Sequence, residues 1–378
     1  MKKKQLMHRA AALGVTACFT ALAGFSQASL AVGPALQEGH EYMVVANYPN
    51  NLHVLDLASD TIYKSCDMPD DFGPGAIQMA PDGQTAYVLN NHYEDLYGVN
   101  LDSCEVVFHA AMSQAPNERT KSIFSFAVSP DGDEVYAIQN PTILNRDHYR
   151  VQAPRLAVYR ADAGLDAKPV RTFEAPRQVT IMQTGADGSL YMAGADIYKV
   201  DVQTGERTTA IASRNWTRPN YTQPDVLSVW PIQTATQDFT ILYTTARFQD
   251  ETQNPDTADW LWGYMNVNLQ TGETETRDFG PITEVYFSGT RSPRDPNLMY
   301  GVLNRLTKYD IDKQELIKAA ELDHSYYCIA INRAGSKIYL GGTYNDVAIY
   351  DADSLEKLGN IELPGGDMAI STAQIFVH

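Results

Sequence analysis

One strand-rich unit recurs seven times along 378 residues, with Asp-Gly turns at matching places. Together these observations predict an all-β fold: a seven-bladed β-propeller of four-stranded antiparallel blades, with the ring closed by the C-terminal strand. The unit is an apolar strand, an Asp-Gly turn, a Tyr-Val strand, a gap, a strand ending in Asp, a turn and a further strand. Residues 76–83, 85–89, 96–102 and 105–108 show it in full, and residues 329–335, 337–340, 347–351 and 358–361 repeat it. The third-strand anchors fall at Asp56, Asp102, Asp162, Asp201, Asn268, Asp310 and Asp351, at spacings of 39 to 67 residues. That is the size of a propeller blade, and the strand pattern excludes helical solenoids.

Taken in order, residues 1–28 read as an export signal, with Lys2, Lys3, Lys4 and Arg9 ahead of an apolar run and the small-residue site Ser26-Gln27-Ala28. Val15-Thr16-Ala17-Cys18 has the outline of a lipoprotein box, but the apolar run continues past Cys18, which favours cleavage after Ala28. Residues 29–40 form a leader and 41–378 the propeller. No later stretch reaches the ~20 apolar residues that span a bilayer, so no membrane span is expected, and a bacterial-style signal points to the periplasm.

The first unit begins near Tyr42 and lacks an innermost strand, while residues 367–371 are surplus at the other end, so this tail is expected to complete the first blade. The sequence leaves the place of residues 374–377 open. Asp82-Gly83, Asp131-Gly132, Asp187-Gly188 and Thr204-Gly205 put glycine where hairpins need positive φ, a structural role. Beyond the signal there are three cysteines. Cys66 and Cys104 lie near the outer edges of adjacent units and are the plausible pair, whereas Cys328 sits in an apolar run and is expected to be buried and inert.

The net charge of −17 argues against nucleic acid and favours basic or cationic partners. Connection lengths divide the ring into two faces. First-to-second and third-to-fourth turns are expected to be short throughout. The other face collects the insertions 113–122, 140–155, 213–225 and 246–259, the usual place for binding on a rigid scaffold. The candidates there are His92, Tyr93, His148, Tyr149, Trp216, Arg218, Tyr221, Arg247 and Phe248, with Trp230 a candidate for the central opening. Trp260, Trp262 and Tyr264 alternate on a strand and are expected to pack between blades. The chain has no Cys-x-x-Cys-His, His-Glu-x-x-His, Gly-x-Ser-x-Gly or phosphate-loop pattern, and no histidines at metal-ligand spacing.

The stretches 42–56, 87–102 and 339–351 resemble propellers with a Tyr-Val-Thr-Asn type repeat. Over the length beyond the signal, above all at 39–60 and 326–351, the chain resembles the β subunit of bacterial quinohemoprotein amine dehydrogenase. The resemblance implies a periplasmic heterotrimer that oxidises primary amines. A haem-containing α subunit would carry c-type haem, and a quinone-containing γ subunit would carry cysteine tryptophylquinone and the catalytic base. This chain would then hold no cofactor and no catalytic residue, but would help to wall the substrate pocket. A stand-alone propeller hydrolase or lactonase, and a non-catalytic envelope interaction protein, are the alternative readings, since propellers host many functions.

Overall fold

Inner and outer strands differ in sequence because they differ in what covers them. Glu41–Asn47 and Asn51–Asp56 are runs of Val, Leu, Tyr and Met buried on both faces, since each sheet is sandwiched between its neighbours. Outermost strands such as Arg207–Ile211 and Lys357–Glu362 border solvent and are largely polar. The computed structural model describes residues 33–70, 74–227, 235, 237–368 and 373–378. Residues 1–28, read from the sequence as an export signal, lie outside them.

Seven antiparallel sheets follow one another along the chain, the predicted architecture. Blades 2 and 4 to 7 are four-stranded meanders over residues 77–111, 181–211, 225–281, 286–321 and 328–362. Blade 3 spans 126–174 and carries two further strands, Glu118–Lys121 and Tyr149–Val151. Seven apolar clusters hold the ring together, each between two consecutive blades. The cluster of Met43, Val45, Leu55, Tyr339, Val347 and Ile375 joins the last blade to the first.

Blade 1 is completed by the C-terminal strand, but the closing residues are Gln374–Val377 rather than 367–371. Asp367 and Met368 belong to the connection that crosses from blade 7, and 369–372 lie outside the described residues. Gln374 pairs with Val44 and Val377 with Glu41, while the Gln374 Oε1 accepts the Met79 N–H of blade 2 at 2.6 Å. Gly83 marks the limit of the seam. It has φ +65°, and a Cβ there would lie 2.3 Å from the Val377 carbonyl oxygen.

The recurring acidic anchors are turn acceptors. Asp56, Asp201, Asn268, Asp310 and Asp351 each accept a backbone N–H two or three residues on, at 2.7–3.0 Å. Blade 2 departs from this: Asn100 accepts in that turn, and Asp102 instead takes the Leu36 N–H and the Gln84 amide. Cys66 and Cys104 form a disulfide that ties the outer strand of blade 1 to blade 2. Cys328 is buried, and that burial pushes its thiol up to about 11.

Candidate functional site

The axial opening is lined by Gln78, Gln183, Thr184 and Gln374 from the innermost strands, with Gln237 and Arg333 at the short-turn end, around a cavity of about 370 Å³. These groups come from four or more blades, so only ring closure brings them together. The Gln78 amide donates to the carbonyls of Phe126 and Met182. Amide, hydroxyl and guanidinium groups offer hydrogen bonds here. Trp230, assigned to this opening from the sequence, lies outside the described residues.

The opposite face holds most of the other candidates, in two groups. In the first, residues 213–224 fold down onto blade 5. Phe248 donates its N–H to the Asn220 carbonyl at 2.7 Å, and Tyr221 bridges to Arg247. Arg218 lies between Trp216 and Tyr221, its guanidinium 4.1 and 3.7 Å from the two rings, and binds Asp278 with both nitrogens at 2.7 and 3.1 Å. Tyr243 donates to the same carboxylate at 2.7 Å, and both burial and that charge push its phenol up. Trp216, Arg218, Tyr221, Arg247 and Phe248 thus converge, as a clamp within the chain. Removing one member of such a largely buried pair leaves a stranded charge. Arg218, a candidate for this face, is therefore committed to Asp278 within the chain.

In the second group, Asn91, His92 and Tyr93 turn in the left-handed region, with φ of 48°, 56° and 68°. Tyr93 packs on Phe124 and accepts the Ser122 N–H at 2.9 Å, so the turn is pinned to the connection into blade 3. His148 and Tyr149 stand at the end of an arm. Residues 140–155, read from the sequence as a loop, are largely strand: Glu134–Leu144 runs past the blade and pairs with both extra strands. The 246–259 insertion likewise begins and ends as strand, leaving a connection at 248–258.

Trp262 and Tyr264 pack between blades 5 and 6 as expected, whereas Trp260 is 51% exposed because the strand has left the sheet stack there. Tyr48, Tyr149, Trp260 and Tyr344 are the exposed large aromatics among the described residues, and all four lie on this face. The opposite face is not uniformly short-turned: its connection at 161–170 is ten residues long.

Two pairs escaped sequence reasoning. His324 Nε2 meets Asp346 Oδ1 at 2.9 Å, beside Tyr344 and below a recess of about 530 Å³. His109 Nε2 meets Asp95 Oδ1 at 2.9 Å and stacks on Tyr97. The hydrogen bond to Asp95 raises the His109 imidazole above its ordinary range, against the opposing effect of burial. Both aspartates open the third strand of a blade, a position the repeat could have revealed. Among the described residues no three His, Cys, Asp or Glu side chains gather as a metal site, and no helix is long and apolar enough to cross a membrane.

No family model matches the chain, and no curated protein matches its sequence. Among solved structures, the chain is similar to hydrazine synthase from Kuenenia stuttgartiensis, with TM-score 0.53 and 11% identity over 88% of this chain and 100% of that one. It is also similar to the dihydro-heme d1 dehydrogenase NirN, with TM-score 0.50 and 14% identity over 92% of this chain and 78% of that one. At these identities the likeness is one of fold, the seven-bladed β-propeller.

Proposed function

We propose that this chain is the propeller subunit of a periplasmic quinohemoprotein amine dehydrogenase, a rigid ring whose long-connection face seats partner subunits and helps to wall a primary-amine pocket. The observation that carries the reading is the gathering of Tyr48, Tyr149, Trp260 and Tyr344 on that face. Exposed aromatics of this size are enriched where protein surfaces are buried on assembly. The overall resemblance read from the sequence supplies the identity of the assembly. In this reading c-type haem and cysteine tryptophylquinone reside in the α and γ subunits. The axial cavity adds support, because its amide and hydroxyl lining suits hydrogen bonding better than proton transfer at neutral pH.

Native purification with a visible spectrum tests the proposal. Haem absorption that travels with this chain, and amine oxidation that vanishes when the chain is separated and refolded alone, are the expected results. A colourless monomer that turns over a substrate unaided overturns it and favours a stand-alone hydrolase.

A further inference from the structure

The arm of blade 3 is an open sheet edge with a defined chemistry. Leu144 faces Tyr149 and Thr142 faces Val151 across the hairpin. In an antiparallel ladder, bonded and non-bonded pairs alternate. Asn145 donates its N–H to the His148 carbonyl at 3.0 Å, and Gln152 donates to the Pro141 carbonyl at 2.9 Å. Counting inward from either end makes Ile143 and Arg150 a bonded pair. The backbone N–H and C=O of Tyr149 and Val151 therefore point away from the hairpin, and among the described residues no strand pairs with that side. The same two side chains are 75% and 62% exposed.

Charge sets the arm apart from the rest of the molecule. Residues 118–121 and 140–155 contain five cationic side chains, Arg119, Lys121, Arg146, Arg150 and Arg155, against the two acids Glu118 and Asp147. Over the whole chain the balance is reversed, 29 basic residues against 46 acidic. Among the described residues neither Arg146 nor Arg150 has a carboxylate partner, while Arg155 is held by Glu118, and Arg119 and Lys121 by Glu94 of blade 2. Edge-to-edge pairing with a second copy of this chain would set Arg150 beside its own counterpart, and like charges side by side destabilise a sheet.

We propose that the arm receives an extended acidic segment of a partner subunit as an added β-strand on the Tyr149–Val151 edge. Period-two alternation fixes the complementary pattern. Apolar residues of the segment lie beside Tyr149 and Val151, on the side shared with Leu144, and a carboxylate lies beside Arg150 on the other side. The proposal rests on the reading of the chain as one subunit of an assembly.

Hydrogen exchange on the natively purified assembly and on the isolated chain tests it. The Tyr149 and Val151 amides should exchange at least about ten-fold more slowly in the assembly. Arg150→Glu should release the partner at lower salt with the melting temperature of the isolated chain unchanged. Equal exchange in both states, or an unchanged salt threshold, overturns the strand addition while copurified haem leaves the subunit reading standing. If the chain purifies alone, the subunit reading fails and a labelled peptide, acetyl-Val-Glu-Val-Glu-Val-amide, decides the arm by fluorescence anisotropy. Binding that Arg150→Glu removes supports the arm as a strand acceptor. No binding at low salt, or equal binding of an all-glutamate peptide, overturns it.

Discussion

Blade 1 is one strand short along its own stretch of chain, and blade 3 has two strands more than a blade needs. The deficit is filled from the far end of the chain by Gln374–Val377, and the seam is reinforced by the Cys66–Cys104 disulfide and a buried histidine. The surplus is built outward into an arm tied to the ring only near its base, by Arg119 to Glu94, Glu118 to Arg155 and Arg177 to the Gln152 carbonyl. Residues in the first region are buried and multiply bonded, whereas those at the tip of the second are exposed on both side chain and backbone edge. Substitutions at the seam should therefore cost stability, and those at the arm should cost association.

Deleting residues 374–378 should break this contrast most severely. Blade 1 would present an unpaired edge, and the cluster that contains Ile375 would be opened. We expect loss of the cooperative thermal transition; a truncated chain that melts like the full one would show that the seam does not close the ring. Replacing Cys66 and Cys104 by serine should rank second. The bond spans 38 residues, which on the chain-entropy account is worth about 4 kcal/mol. Urea titration of both forms reads the difference, and equal midpoints would argue against it.

His53 comes next and gives the seam a pH signature. It is buried between Ser65 Oγ, 2.7 Å from Nδ1, and Asn47 Oδ1, 3.1 Å from Nε2. Burial pushes its imidazole down from 6.5 to about 4. Between those values the unfolded chain binds a proton that the native chain refuses, so stability falls as pH drops, by about 3 kcal/mol if the ring survives to pH 4. His53→Gln should flatten that acid limb in urea titrations at pH 7 and pH 4.5; an unchanged slope would assign it to other groups. His109, raised by Asp95, acts in the opposite sense, and its stabilisation is lost as pH rises through its folded value. The smallest effect belongs to the arm: Tyr149→Ser with Val151→Ser should shift stability by no more than about 0.5 kcal/mol. A larger loss by calorimetry would mean that the arm braces the ring after all.

The same contrast shows what a sequence carries. Strand repeats, Asp-Gly turns and the Cys66–Cys104 pairing were legible because each depends on local chemistry repeated at fixed spacing. The closing strand was misplaced because Met368 and Gln374–Val377 are both apolar enough to pair, and only the length of the crossing from blade 7 decides between them. The arm was read as loop because it exceeds an ordinary connection in length, yet pairing with Glu118–Lys121 and Tyr149–Val151 makes most of it strand. His324 and Asp346 stand 22 residues apart in sequence, and although the repeat marks the aspartate that opens the third strand, only the folded blade brings His324 of the preceding connection against it. Arg218 stood among the loop candidates, and its partner Asp278 arrives from the outer strand of blade 5, 60 residues further along the chain.

Closure by the last strand also imposes an order in time. Met79 and Gln374, bonded across the seam, are 295 residues apart in the chain. A ribosome adding about 5–20 residues per second needs on the order of half a minute to supply the second after the first. During that interval blades 2 to 7 can stack in sequence, but blade 1 waits with one edge bare. The nascent protein is thus an unlatched ring until residues 374–377 emerge, which leaves a window in which chaperones meet an unfinished fold.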